Sequence, residues 1–151
     1  MIFKRILKKE FFITLCCIQN KWHRYGVFRH TMMVVYHALK AKQYKMIAAG
    51  FLHDIGKPLV AYQDEEDIEV GEYSFTNHEE ISYQIIKNWF FISSYTKNLV
   101  RYHYLVRGMS NAKRKEQMGK YNRMKRSFDN LDEEFIKDLE LFLIYDDLAK
   151  K

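Results

Sequence analysis

The stretch FLHDIGKP, residues 51–58, places a histidine beside an aspartate at the end of a predicted buried helix. Gly56 and the proline that follows it are expected to stop this helix, so that His53 and Asp54 leave its end together. A neutral imidazole and a carboxylate are both common ligands of divalent metals. The doublet therefore predicts a metal site at a helix end.

Further residues with the same chemistry are spaced along the chain so that they could join this doublet. The candidates are His30 in RHTMMVV, His78 in FTNHEE, His103 in VRYHYLV, and Asp146 or Asp147 in LIYDDLA. In the last segment, apolar residues recur at helical spacing from Phe135 to Phe142, and Asp146 continues their stripe, so we prefer it to Asp147. With no thiol among them, the candidates describe a mixed nitrogen and oxygen site.

The composition predicts one all-α domain. The chain of 151 residues is 48% hydrophobic and 16% aromatic, and it contains one proline and six glycines. We expect a compact multi-helix bundle over residues 1–151, with the candidate ligands in a core of about 23–150 and an N-terminal helix of about 2–19 packed on it. Residues 60–75 would form a loop insertion or a small hairpin. Other helices are predicted at about 27–42, 45–55, 77–89, 93–107 and from Asp129 or Asn130 onward.

Charge is unevenly distributed along the chain, whose net charge is +6. Residues 61–80 contain eight acids and no base, whereas residues 107–126 contain eight bases and one acid. Each run could be a solvated surface, and the basic run could instead gather phosphate groups near the metal site. The sequence leaves both interpretations open.

The N-terminal region and the cysteines bear on localisation. Cys16 and Cys17 are neighbours in an apolar run and are too few for a disulfide framework, which predicts a reducing compartment. No cleavage site of small residues follows the charged and apolar N-terminus, and no apolar stretch is long enough to span a bilayer. We expect a cytoplasmic protein, and the sequence is compatible with a monomer or an oligomer. His23 stays unassigned, and His37 is expected to be an ordinary, partly buried histidine.

The order His, His-Asp, His, His, Asp on successive helices resembles the HD-domain superfamily of metal-dependent phosphohydrolases. FRHTMMVVYHA is similar to the first histidine helix of that family, FLHDIGKP to its doublet and IYDDLA to its terminal aspartate helix. In the last of these, the family pattern of Asp, any residue, Leu again selects Asp146. The resemblance covers about residues 23–150.

This resemblance implies one or two divalent ions and a set of residues that bind them. His30, His53, Asp54 and Asp146 would bind one ion, and His78 and His103 would bind a second, with Asp54 as the bridge. The ions could be manganese, iron, cobalt, magnesium, nickel or zinc.

The resemblance also implies residues that act on a phosphate. Asp54 and Lys57 would be catalytic, with Lys57 neutralising the charge that builds on the substrate. Lys57 could equally be a solvated lysine at a helix end, on the sequence alone. Arg107, Lys113 and Arg114 are weaker candidates for binding the substrate, since a guanidinium fork matches a phosphate well.

The expected substrate is a nucleotide or another phosphoester. The tyrosine-proline motif of the HD-GYP branch is missing. YSFTNHEEIS is similar to a pattern in HD domains attached to some tRNA nucleotidyltransferases, which are associated with cyclic-phosphate RNA ends. HRYGVFRHT and VRYHYLVRG faintly resemble small hydrolases of dinucleoside polyphosphates.

We therefore expect hydrolysis of a nucleotide phosphodiester or phosphoanhydride by metal-activated water, with cyclic nucleotides among the possible substrates. Two alternatives stay open. One is a nucleoside monophosphate phosphatase that uses a single metal. The other is a non-catalytic domain that binds a nucleotide or RNA through the basic run.

Overall fold

The protein is an all-α bundle, and a computed structural model describes residues 26–150 of it. Within these residues lie nine α-helices and one 3₁₀ helix, Tyr44–Met46. The α-helices are α1 (Val27–Lys40), α2 (Ile47–Leu52), α3 (Lys57–Val60), α4 (Glu65–Val70), α5 (His78–Ile86), α6 (Ser94–Tyr102), α7 (Leu105–Arg114), α8 (Met118–Asp129) and α9 (Glu133–Leu148). The predicted all-α fold is confirmed. The predicted N-terminal helix and His23 lie outside the described residues, and the single domain over the whole chain stays a prediction.

The hydrophobic core lies between α1, α2, α5, α6 and α9. Each of these helices contributes at least one fully buried side chain: Val34, Ala49, Ile86, Leu99 and Phe142. Aliphatic and aromatic packing of this kind stabilises the domain mainly by removing apolar surface from water. The core therefore fixes the helices from whose ends the candidate ligands project.

Two predicted helices are interrupted at a histidine. α2 ends at Leu52, just before His53, and the predicted helix 93–107 divides into α6 and α7 at His103. His53 Nδ1 donates to the carbonyl oxygen of Gly50 at 2.8 Å, and His103 Nδ1 donates to that of Val100 at 2.7 Å. Each imidazole thus donates to a carbonyl oxygen that, in an uninterrupted helix, would accept from the backbone N–H four residues later. These bonds account for the turn of the chain at each histidine.

The acidic insertion is built around a short helix rather than a hairpin. Asp64 caps α4, because its side chain accepts from the backbone N–H of Asp67 at 2.8 Å. On either side of α4, Tyr62 and Ser74 form an isolated antiparallel bridge. The predicted insertion at residues 60–75 is thus present, and the helix α4 inside it was not predicted from the sequence.

The basic segment, which shows little periodicity in the sequence, folds into α7 and α8. These helices pack closely at Gly108, where a Cβ atom would collide with the side chain of Met124. The last helix begins after Asp132 and not at Asp129 or Asn130, because α8 extends to Asp129. Within residues 26–150, none of the helices has the length and apolar character needed to cross a membrane.

Candidate metal centre

Three buried histidines have the same local geometry. His53, His78 and His103 each lie with Nδ1 within 2.7–2.9 Å of the carbonyl oxygen three residues earlier in the chain. A carbonyl oxygen can only accept, so Nδ1 carries the proton, and in the neutral ring Nε2 keeps its lone pair. This is the tautomer in which an imidazole binds a metal through Nε2.

Asp54 lies so that each of its carboxylate oxygens faces a different pair of imidazoles. Oδ2 is 3.3 Å from His53 Nε2 and 3.6 Å from His30 Nε2. Oδ1 is 3.3 Å from His78 Nε2 and 3.9 Å from His103 Nε2. Two groups of possible metal ligands, each with its ligand atoms within 4.8 Å of one another, therefore share one carboxylate. All five side chains are buried.

The positions of the lone pairs fit a bound cation better than a network of hydrogen bonds. His78 Nε2 and His103 Nε2 lie 3.2 Å apart, although both rings donate through Nδ1 and have no second proton when neutral. His53 Nε2 is buried and makes no hydrogen bond within the described part of the chain. Two nitrogens that bind one ion at about 2.1 Å each would lie about 3.0–3.4 Å apart. These residues fit one or two divalent ions.

Asp146 brings the last helix to the same place. Its Oδ1 lies 2.9 Å from His30 Nε2 and 3.8 Å from His53 Nε2. His30 Nδ1 lies 3.3 Å from the carbonyl oxygen of Ala149, so α9 and the residue that follows it contact both sides of the ring. Asp147, in contrast, has a side chain that is 52% exposed against 13% for Asp146. The structure therefore places Asp146, the preferred candidate, beside the other ligands.

Electrostatics keep the carboxylates anionic and one imidazole neutral. Burial acts to raise the pKa of Asp54, but the neighbouring His53 and Lys57 hold that pKa well below its usual range. Burial likewise acts on Asp146, whose pKa is held well below its usual range by its contacts with His30 and Lys150. For His103, burial together with the other two imidazoles lowers the pKa to about 3. Burial acts to lower the pKa of His53, but the neighbouring Asp54 raises it, so this imidazole would release a proton when a cation binds.

The helical order and this cluster agree with a match of sequence: residues 27–134 match the HD domain family. The chain belongs to the HD domain family. Membership places it in a superfamily of metal-dependent phosphohydrolases, whose proteins bind divalent metals. The match ends before Asp146, which joins the cluster through the packing of α9. No curated protein and no solved structure matches the chain significantly.

Lys57 lies directly beside the HD doublet. Its Nζ is 2.6 Å from Asp54 Oδ2 and 5.6 Å from the centre of the Phe75 ring, and the residue is only 5% exposed. A solvated lysine at a helix end, the alternative open from the sequence, does not describe this environment. A buried ammonium beside the central carboxylate is in position to contact an anion bound there.

Gly56 lies in the turn that follows the His53-Asp54 doublet, and it allows α3 and α5 to pack closely together. A Cβ atom at this position would lie 2.7 Å from both the carbonyl oxygen of His78 and the backbone nitrogen of Ser82. The N–H of Gly56 also donates to Ser82 Oγ at 2.9 Å. The absence of a side chain at Gly56 therefore sets the distance between Asp54 and His78, which lie on opposite sides of this contact.

We expect Gly56→Ala to destabilise the HD domain and to weaken metal binding. Both close contacts involve backbone atoms, so α5 must move, at a cost of about 1–3 kcal/mol. Thermal unfolding should begin several degrees lower, and manganese affinity should fall. Gly119→Ala is the matched control, because nothing lies within 4 Å of a Cβ atom there. Equal unfolding temperatures and metal affinities in the two variants would contradict this account of the turn.

A cavity of ≈760 Å³ opens beside the candidate metal centre of the HD domain. Its lining includes four candidate ligands, Asp54, His78, His103 and Asp146, and six cations, Lys57, Arg107, Arg114, Lys115, Lys120 and Lys150. The size is typical of sites for small organic molecules. Cations on the wall of such a cavity attract anionic ligands.

The predicted substrate-binding residues fall into two groups. Lys57, Arg107 and Arg114 line the cavity, whereas Lys113 is not part of the lining. Successive residues of a helix differ by about 100° in direction, so Lys113 leaves the face of α7 on which Arg114 lies. His37 is also outside the cavity, and burial together with Lys40 lowers its pKa.

Several lining residues of the HD domain were missed from the sequence. Lys150 Nζ lies 2.8 Å from Asp146 Oδ2, a pair at i, i+4 that the helical spacing of α9 could have revealed. Lys120, Tyr73 and Phe75 also line the cavity. No local signal identifies these three, because they reach the cavity only through the packing of other elements.

Proposed function

We propose that this HD domain hydrolyses phosphodiester or phosphoanhydride bonds of nucleotides with the help of two divalent ions. The observation that carries the proposal is the Asp54 carboxylate, whose two oxygens each face a pair of imidazoles. One ion would be held by His30, His53, Asp54 and Asp146, and the other by Asp54, His78 and His103. In a domain of this superfamily, such an arrangement supports hydrolysis rather than a structural role for the metal.

Side chains of the site would bind the ions, and backbone carbonyls would orient those side chains. When bound, divalent ions supply positive charge for phosphate oxygens and water that ionises near pH 7. Asp54 would hold both sites at a fixed separation, because one rigid carboxylate reaches both. The backbone carbonyls behind His53, His78 and His103 would fix the ring orientations, since a ligand held by a second hydrogen bond does not rotate.

The size and charge of the cavity favour a phosphodiester or phosphoanhydride substrate over a simple phosphomonoester. Its volume of ≈760 Å³ exceeds what a single phosphate group fills, and six cations line it. Lys57, Arg107 and Lys150 lie nearest to the candidate ligands, through their contacts with Asp54 and Asp146. Cyclic nucleotides, cyclic-phosphate RNA ends and dinucleoside polyphosphates all meet these requirements.

The test is a hydrolysis screen of the purified protein loaded with manganese, cobalt, zinc or magnesium in turn. The panel holds cyclic nucleotides, RNA with a cyclic phosphate end, dinucleoside polyphosphates and nucleoside monophosphates. We expect metal-dependent turnover of a diester or anhydride, lost on chelation and restored by the ion. Turnover of monophosphates alone would favour a single-metal phosphatase, and binding without turnover would favour a non-catalytic domain.

We expect Lys57→Met to slow hydrolysis about tenfold while the metal content is kept. Methionine has a similar length and retains the contact with Phe75, but it removes the ammonium beside Asp54. The comparison variant is Lys57→Arg, which keeps the charge and should retain more of the turnover. If Lys57→Met lost its metal together with its activity, or lost neither, Lys57 would not act on the substrate.

A further inference from the structure

The cavity extends away from the metal centre along one face of α7. Arg107, Asn111 and Arg114 line it, and their spacing of four and three residues places them on one face of the helix. Arg107 contacts Asp146 at 3.1 Å, so this end of the face adjoins the metal ligands. Arg114 lies two turns farther along, about 10 Å away at 1.5 Å per residue. The two arginines thus lie at different distances along α7 from the candidate metal ligands.

The cations at the two ends differ in what they contact. Near the metal ligands, Arg107 lies 2.6 Å from Asp147 Oδ1, and Lys150 lies 2.8 Å from Asp146 Oδ2. At the far end, the cavity is lined by Arg114, Lys115 and Lys120, which we call the outer cationic cluster. The guanidinium of Arg114 donates to the neutral Asn111 side chain at 3.2 Å. None of the three cluster residues forms an ion pair with an acid within residues 26–150.

Local helix electrostatics account for two residues of the cluster but not for Lys120. Arg114 and Lys115 lie at the C-terminal end of α7, where the helix dipole favours a cation. Lys120 lies in the first turn of α8, where the dipole disfavours one. The close contact of α7 with α8 at Gly108 nevertheless brings all three to the same cavity. All three residues are exposed, so water and salt screen their mutual repulsion, and an anion bound between them would lower it further.

We propose that the outer cationic cluster binds a second phosphate group of the substrate, farther along α7 than the phosphate that is hydrolysed. This inference rests on the proposed function, since it takes the metal centre as the place of the first phosphate. It narrows the substrate class to molecules with at least two phosphate groups that are separated either by a phosphoanhydride chain or by a nucleoside. The cluster sets specificity by binding and takes no part in the chemical step.

The test compares the affinities of the metal-loaded protein for phosphate probes of increasing length. Linear inorganic chains of one, three and six phosphates form one series, and thymidine 5′-monophosphate with thymidine 3′,5′-bisphosphate forms the other. One variant carries Arg114→Gln, Lys115→Gln and Lys120→Gln. The matched control carries Arg123→Gln, Lys125→Gln and Arg126→Gln, which removes the same charge from exposed positions of α8 outside the cavity.

The wild type and the control should bind the longer probe at least about tenfold more tightly than the shorter one in one series or both. This preference should disappear in the cluster variant. A preference confined to the inorganic series assigns the second phosphate to an anhydride chain, and one confined to the thymidine series assigns it to a nucleotide. Equal loss of preference in both variants, or no preference in the wild type, would overturn the proposal.

The same titrations in metal-free protein separate this inference from the proposed function. If metal has no effect on orthophosphate binding, the proposed function fails. In that case, the outer cationic cluster would still be supported as a phosphate-binding site if only the cluster variant lost the preference for longer probes. If metal increases orthophosphate affinity but probe length has no effect, the second subsite fails and the proposed function stands.

Discussion

Asp54→Asn is expected to remove both metal ions and to lower hydrolysis by about 10³-fold, equivalent to about 4 kcal/mol of activation free energy. Asparagine keeps the shape of the side chain but loses the charge, and its nitrogen cannot bind a cation. Because both oxygens of Asp54 face imidazole pairs, a single substitution should affect both sites. Elemental analysis after dialysis and turnover of the substrate found in the screen give the two measurements.

A control is needed because Asp54 also neutralises Lys57 at 2.6 Å in the interior. Removing one partner of a buried ion pair commonly costs about 3–5 kcal/mol, which could unfold the domain. The double variant Asp54→Asn with Lys57→Met removes both charges and should be the more stable of the two. If the folded double variant kept even one ion per chain at wild-type affinity, Asp54 would not bridge two sites.

His78→Ala is expected to remove one ion and to leave the other, with hydrolysis lowered by about 10²-fold. Only Oδ1 of Asp54 faces His78 and His103, so the site at His30 and His53 keeps its ligands. Isothermal titration with manganese should show two sites in the wild type and one in the variant. This is the second largest effect that we expect, since the first site alone still binds a phosphate.

His37→Ala is the matched control for this experiment. His37 is a histidine of α1 that lies outside the cavity, so its loss should leave metal content and turnover unchanged. Loss of both ions in His78→Ala would mean that the two sites do not form independently. Two ions bound at wild-type affinity would mean that His78 is not a ligand.

The sequence predicted the helical fold and the residues that now lie together. The run FLHDIGKP predicted a helix that ends near Ile55, whereas α2 ends at Leu52, and the apolar stripe of α9 selected Asp146 over Asp147 as the inward-facing carboxylate. The existence of these helices and the inward-facing side of α9 are predictable because helical periodicity and helix-ending residues are local signals. His30, His78 and His103 were selected by chemistry and order, and the packing of α1, α5 and α6 brings them to Asp54.

The parts that the sequence did not predict depend on contacts between distant residues. The interruption at His103 arises from a bond between its side chain and the carbonyl of Val100, and the same residues could equally have continued the helix. Lys120 reaches the cavity through the contact between Gly108 and Met124, which are sixteen residues apart. Periodicity carries no information on such contacts.

Electron paramagnetic resonance of the manganese-loaded protein is the most direct test of the central claim that Asp54 joins two cation sites. Two manganese ions that share one carboxylate interact magnetically and give a coupled, multiline spectrum. We predict this spectrum for the wild type at two equivalents of manganese, and the six-line spectrum of an isolated ion for His78→Ala. A six-line spectrum from the fully loaded wild type would contradict the account.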